Sequence, residues 1–430
     1  MTALLIIAIL LALLLTGTPI SIALGLTVLV YLVGFSSFSI ETVDIISQRL
    51  FTGLESFALM AIPFFILAGA FLTEGGVAAR IIRFATTLVG WMPGGLAMAT
   101  ILACAFFATI SGSSPATVVA IGSIMLPAML KAGYPKRFTV GVIATSGSLG
   151  ILIPPSIVMI IYAVSTSTSA GTLFIASAVP GLLLAALLMG VTFVAAKRQR
   201  FPTLPRASLA EVWRAFREAF WGLMLVVIVM GGIYGGIFTP TEAASVSAVY
   251  AFVAAVFIYR DLKLRDTFRV LLTAANTSAM LLYIVTNAVL FSYLLTSEQI
   301  PQSLSDWVVA SEFSPWMFLL AVNVALLAAG QFMEPSSVVL ILAPLLLPVA
   351  TSLGIDPIHL GVILVVNMEI GMITPPVGLN LFVTSHLSRM GMTQVSLACL
   401  PWVAVLLAYL VLITYVPQIS LWLPHALGMR

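Results

Sequence analysis

Four short breaks in otherwise apolar sequence carry the residues able to hold an ion. They are Ser111-Gly112-Ser113-Ser114-Pro115, Gly150 to Ser156 (GILIPPS), Glu334-Pro335-Ser336-Ser337 and Gly371 to Val377 (GMITPPV). A helix that starts or stops inside an apolar medium presents unpaired N–H groups with partial positive charge at its N-terminus, and carbonyls with partial negative charge at its C-terminus. Ser114-Pro115 reads as an N-cap and first helical residue, since Ser caps well and Pro lacks the N–H that would be orphaned. Ser336-Ser337 after Pro335, and Ser156 after Pro154-Pro155, repeat the theme. None of the breaks contains Lys or Arg. An anion bound there is therefore held by helix ends and by the hydroxyls of Ser113, Ser114, Thr117, Ser336 and Ser337. Carbonyls freed near Gly150, Ile153, Gly330, Gly371 and Thr374 are hard oxygen donors that suit a small cation such as sodium.

Glu334 and Glu369 are the notable carboxylates within apolar sequence. Ionisable groups at membrane depth are functional by default, as a proton site, a cation ligand or a gating contact. The plainer reading is a protonated side chain hydrogen-bonded in an interface between helices. Ser123, Ser146 and Ser177 receive no role, because a lone Ser in an apolar helix usually bonds its own backbone. His359, His386 and His425 stand near loops or chain ends and read as interfacial. The two cysteines, Cys104 and Cys399, both lie in apolar runs, which argues against a disulfide or a metal site.

The breaks come in pairs. Gly150 and Gly371, Pro154 and Pro375, Pro155 and Pro376, Pro127 and Pro348 each stand 221 residues apart, as do Pro19 and Pro240 and Pro180 and Pro401 near the ends of the pattern. A single break is more often a kink between packed helices than a site; equally spaced pairs point to a duplication of about two hundred residues. Residues 1–196 form the first repeat, with a re-entrant hairpin at about 95–130 and a broken helix at 138–164. Residues 197–217 form a linker with six basic residues. Residues 218–430 form the second repeat, with a hairpin at about 316–350 and a broken helix at 359–385. Glu334 and Glu369 have Ser113 and Ser148 as their counterparts, so the acidity belongs to one half.

With 430 residues, 61% of them hydrophobic, 8% charged and a mean hydropathy of +1.18, the chain is an all-α polytopic membrane protein. A β-barrel would alternate instead. The N-terminal apolar run has no basic leader and reads as a retained first helix. Ser36 to Arg49 is a polar piece before the span Gly53–Thr73, and Glu74 to Trp91 reads as an amphipathic helix on the membrane surface. Basic residues mark the cytoplasmic side. Tracing crossings from a cytoplasmic linker places Arg80, Arg83, Lys131, Lys136, Arg137, the run Arg260–Arg269 and Arg389 inside, and leaves Arg49 and Arg430 outside. The loop Lys131–Arg137 is basic, whereas its counterpart Ser352–Ile358 carries only Asp356. Equivalent loops on opposite faces make the duplication an inverted repeat, the architecture of secondary transporters. It predicts two cation sites, one per half.

An intramembrane enzyme is disfavoured. The five aspartates (Asp44, Asp261, Asp266, Asp306, Asp356) fall in loops or at helix ends, no H-E-x-x-H occurs, and no His lies at the depth of Ser113 or Ser114 in their half. A channel is disfavoured because two hairpins suit alternating access, and no nucleic-acid partner is expected.

The blocks SGSSPAT, GSLGILIPPSIVMIIYAV, LFIASAVPGLL, GGIYGGIFTPTEAASVSAVYA and GIDPIHLGVILVVNMEIGMITPPVGLNLFV resemble the large membrane subunit of tripartite ATP-independent periplasmic (TRAP) transporters, the DctM family, over essentially the whole chain. The resemblance implies a sodium-driven secondary transporter for small organic acids, C4-dicarboxylate first among them, in a bacterial inner membrane. It implies an elevator-type fold of the ion-transporter superfamily, in which a mobile domain holding both hairpins moves against a scaffold. A periplasmic binding protein would deliver the substrate, and a small four-helix membrane subunit, expected as a separate polypeptide because nothing precedes Met1 here, would complete the complex. It also implies two sodium sites, at Ser111, Gly150, Ile153 and Pro155 and at Gly330, Gly371, Thr374 and Val377. The alternative is a stand-alone sodium-coupled carboxylate symporter of the same superfamily.

Overall fold

The computed structural model describes residues 2–35 and 40–429; residues 36–39 of the polar piece, and Arg430, lie outside the described residues. The first half contains α1 (Thr2–Leu15), α2 (Ile20–Phe35), α3 (Ile40–Thr52) and α4 (Ala61–Glu74), the last entered through a 3-10 turn at Phe57–Met60. It continues with α5 (Val77–Val89), α6 (Gly95–Ser111), α7 (Ser114–Lys131), α8 (Lys136–Gly147), the single turn α9 (Leu149–Leu152), α10 (Ile157–Thr166) and α11 (Ala170–Gln199). The second half contains α12 (Leu209–Tyr234), α13 (Pro240–Val253) with a π turn to Ile258, α14 (Thr267–Ser297), α15 (Ile300–Ala310), α16 (Pro315–Gly330), α17 (Pro335–Ser352), α18 (Pro357–Gly371), α19 (Leu379–Ser388), α20 (Met392–Tyr415) and α21 (Gln418–Ala426). Among the described residues, eight helices are long and apolar enough to cross a membrane, and the bent pair from Lys136 to Thr166 makes a ninth. The chain is a polytopic helical membrane protein.

Several elements differ from expectation. Helix α12 begins at Leu209, inside the expected linker, because Ser208 and Glu211 close a capping box there, each accepting from the other's backbone N–H. The irregular part of the linker narrows to residues 200–208. Between α14 and α16, α15 packs on α17, and after α20 the chain turns back as α21 against α11. The hairpin arms α7 and α17 are 18 residues each, about 27 Å at 1.5 Å per residue. Arg80 bonds Asp261 and lies 4.1 Å over the Tyr259 ring, while Arg83 bonds Glu218 at 2.7 Å, tying α5 to the second half.

The halves interlock. Helix α10 packs on α17 and, reciprocally, α19 packs on α7; α20 packs on α8 and α11 on α18. Direction follows from individual contacts. Helix α8 runs from the basic loop inward to Gly147, and α10 leaves on the far side of the break, where the Tyr162 hydroxyl donates to the Pro357 carbonyl at 2.6 Å. Pro357 starts α18, so α18 enters from the end at which α10 exits. Leu387, at the end of α19, reaches Gly122 on the arm that runs to the basic loop. The two broken helices are therefore antiparallel.

Candidate functional site

In the first half, α6 ends at Ser111 and Gly112 turns the chain at φ +57°, a conformation that glycine adopts freely. The Cβ that any other residue would carry at position 112 comes within 3.2 Å of the Pro155 carbonyl oxygen, so the hairpin tip lies against the break in the broken helix. Ser113, not Ser114, is the N-cap of α7, and Ser114 is its first helical residue. The reason is tertiary. The Ser114 hydroxyl donates to the Gly147 carbonyl at 2.9 Å, across to the end of α8. The Ser111 and Thr117 hydroxyls lie 2.8 Å apart, and Thr117 donates to the Ser113 carbonyl at 2.9 Å.

Gly150 closes this cluster. An added Cβ would lie 2.7 Å from the Ser113 carbonyl oxygen and 2.8 Å from Thr117 Oγ1, closer than packed atoms approach. Ser111, Ser113, Thr117, Gly150 and Pro155 are thus brought together around Gly112 as an all-oxygen, uncharged cluster, the donor set that suits a small hard cation. Ile153 belongs to the same break, but its side chain packs on Gly181 of α11.

The second half uses backbone where the first uses hydroxyls. A Cβ on Gly371 would fall 2.7 Å from the Gly330 carbonyl carbon and 2.8 Å from its oxygen. The Thr374 hydroxyl donates to Ile370 O at 2.7 Å, and the Thr374 carbonyl oxygen is 3.0 Å from the Cβ position of Gly378. The Val377 N–H donates to Gln331 O at 3.2 Å and pins the break to the hairpin tip. Peptide bonds Pro154-Pro155 and Pro375-Pro376 are both cis. Glu334, the counterpart of Ser113, is the N-cap of α17; its carboxylate accepts from the Ser336 N–H at 3.4 Å and from the Ser337 hydroxyl at 3.2 Å. The Ser337 hydroxyl and the Ser336 N–H are therefore occupied by the cap.

Glu369 is completely enclosed, and neither carboxylate oxygen has a hydrogen-bond partner. Ser148, its counterpart at the 221-residue offset, lies beside it but spends its hydroxyl on Thr145 O at 2.6 Å. His359 departs from the interfacial reading. It is 2% exposed, with its ring nitrogens 3.3 Å from Ser420 Oγ and from Thr414 O, because α21 folds back over it. His386 and His425 are exposed, and Ser123, Ser146 and Ser177 each donate to their own helix backbone.

Asn380 carried no expectation. It is fully buried in α19, and its amide donates to Ser114 Oγ at 2.7 Å, tying the second broken helix to the first hairpin tip. The available signal was an Asn inside the apolar run LNLFV. Asn380→Leu removes this tie together with a buried Oδ1 that has no partner. The two effects on stability oppose each other at about 1 kcal/mol each. The expected outcome is a protein whose thermal midpoint moves by a few degrees and whose uptake falls roughly tenfold as the tip is released, read by unfolding and vesicle assays on one preparation.

Interlocked antiparallel broken helices, with a hairpin tip docked at each break, define a secondary-transporter fold. Residues 7–419 match the family described as "Tripartite ATP-independent periplasmic transporter, DctM component", and the chain belongs to that family. It is 60% identical, over 100% of both chains, to the C4-dicarboxylate TRAP transporter large permease protein DctM of Rhodobacter capsulatus. It is 55% identical to the protein of the same name from Pseudomonas aeruginosa, over 91% of this chain and 92% of that one. The sialic acid TRAP transporter large permease protein SiaM of Vibrio cholerae is 37% identical over 96% of each. Among solved structures, the Alcanivorax borkumensis YdaH transporter, described as having an unusual topology, superposes with a TM-score of 0.65 at 18% identity, over 90% of this chain and 91% of that one. That likeness concerns the fold alone. The relatives are transport permeases, not enzymes.

Proposed function

We propose that this chain is the large membrane component of a sodium-coupled importer of C4-dicarboxylates, fed by a periplasmic binding protein and completed by a small membrane subunit in a bacterial inner membrane. One observation carries the transport reading. A cavity of about 610 Å³ runs from Ser111 and Ser113, at the first hairpin tip, to the face that bears Asp266 and Arg269. A polar tip at the centre of the molecule is thereby open to the basic, cytoplasmic side. The substrate class follows the C4-dicarboxylate permeases to which the chain is 60% and 55% identical. An uncharged cluster of oxygens around Gly150 supports sodium as the coupled ion, carried as cargo with the anion.

In the elevator description, α6 to α10 and α16 to α19 move together, which is supported by their reciprocal packing. At the first tip the Ser113 hydroxyl faces the cavity and would meet the anion, whereas those of Ser114 and Thr117 are buried and bonded to Gly147 O and Ser113 O, so they reach it only if the tip rearranges. At the second tip, the Ser336 N–H and the Ser337 hydroxyl are held by Glu334, so these donors reach the anion only when that cap opens. Proteoliposomes containing both membrane components test the reading with succinate as probe. Uptake is expected only with binding protein present and an inward sodium gradient, and is expected to fall to background when potassium replaces sodium. Equal uptake without the binding protein would favour the stand-alone symporter, and indifference to the gradient would remove the sodium sites.

A further inference from the structure

The cavity that reaches the first hairpin tip has one wall that the transport reading leaves unused. Helix α14 supplies Arg269, Thr273 and Thr277 to it, a spacing of four residues that puts all three on one face. Arg269 is exposed to the cavity and, among the described residues, forms no ion pair. The acidic residues nearby do not engage it. Asp261 is held by Arg80, Asp266 stands 3.7 Å from Arg265, and Glu74 lies across the cavity on α4. The Thr277 hydroxyl is committed to the Thr273 carbonyl at 3.0 Å, whereas the Thr273 hydroxyl makes no bond within the described residues.

We propose that Arg269 and Thr273 form a carboxylate-binding station on α14, where the transported anion rests between leaving the hairpin tip and entering the cytoplasm. A planar guanidinium with a hydroxyl one turn along the same face is suited to a carboxylate, which takes two parallel N–H donors from the first and an O–H from the second. Arg269 and Thr273 come from α14, whereas Ser111 and Ser113 at the other end of the same cavity come from the hairpin, so the station is a separate stop built on a different element. The chemistry also separates the ions on the way out, with the anion following the α14 wall and the cation following the Glu74 side. The station rests on the dicarboxylate reading given above.

The test uses the complete transporter in vesicles with succinate as probe, measuring KM from the cytoplasmic side in efflux and from the outside in uptake. Losing a charge-assisted hydrogen bond corresponds to about tenfold in binding. R269Q is therefore expected to raise the ratio of inside KM to outside KM about tenfold, R269K to raise it less, and T273V to move it in the same direction. Because Arg269 and Thr273 are exposed, these variants are expected to assemble, which size-exclusion chromatography verifies. An unchanged ratio in R269Q, or equal shifts on both sides, overturns the station. A wild type that moves no succinate removes the substrate reading and the station together, whereas an active wild type matched by R269Q removes the station alone.

Discussion

Gly371→Val is expected to abolish transport in a protein that still inserts and remains soluble in detergent at normal yield. The valine Cβ would be driven to 2.7 Å from the Gly330 carbonyl carbon and 2.8 Å from its Cα. Those atoms belong to backbone, so no rotamer change relieves the contact and the two helices must part. Overpacking of this kind costs about 1–3 kcal/mol, which a membrane bundle of this size survives. The site does not survive it, because misplacing a binding group by about 1 Å is worth around a hundredfold in rate. Gly150→Val should behave alike, since its Cβ meets the Ser113 carbonyl at 2.7 Å. Gly190→Val is the control: it lies on α11 with nothing within 4 Å of its Cβ position. Uptake and membrane yield, compared across the three variants, decide the matter. Sodium-dependent uptake by Gly371→Val at the wild-type rate would remove this crossing from the site.

The crossing was legible because duplication writes it twice. The spacing of 221 residues paired Gly150 with Gly371, and the structure places α7 at Ser114–Lys131 and α17 at Pro335–Ser352, the same offset at both ends. What the spacing conveys is equivalence, not contact. Ser148 and Glu369 are paired by the offset, but nothing in the sequence says that they lie side by side. That follows from where the two halves dock. The N-cap shifted from Ser114 to Ser113 for a related reason, since the partner of the Ser114 hydroxyl is 33 residues away in α8. His359 looked interfacial because it follows a loop; its burial depends on α21, a short helix distant from it in sequence. Asn380 and the α14 wall of the cavity arise at the seam between halves, where local pattern carries no record of the partner.

Glu369→Leu is expected to unfold at the same temperature as the parent or higher, and yet to lose transport by tenfold or more. The two halves of that expectation have different origins. A carboxyl sealed from solvent without a hydrogen bond on either oxygen is a burden on folding of about 1–3 kcal/mol, and leucine fills similar volume without it. A side chain kept only for packing would therefore be improved upon by the substitution, and transport would be untouched. Retention of an ionisable group at membrane depth despite that burden points to use during the cycle. Its place agrees, because it stands where α18 meets α9 beside its own counterpart Ser148, at the junction of the two broken helices. Glu369→Gln separates volume from acidity: it keeps the size and polar atoms, and is expected to fold like the parent while transporting as poorly as Glu369→Leu. Thermal unfolding and initial uptake rates from the same preparations provide the comparison, and full activity in both variants would assign Glu369 to packing.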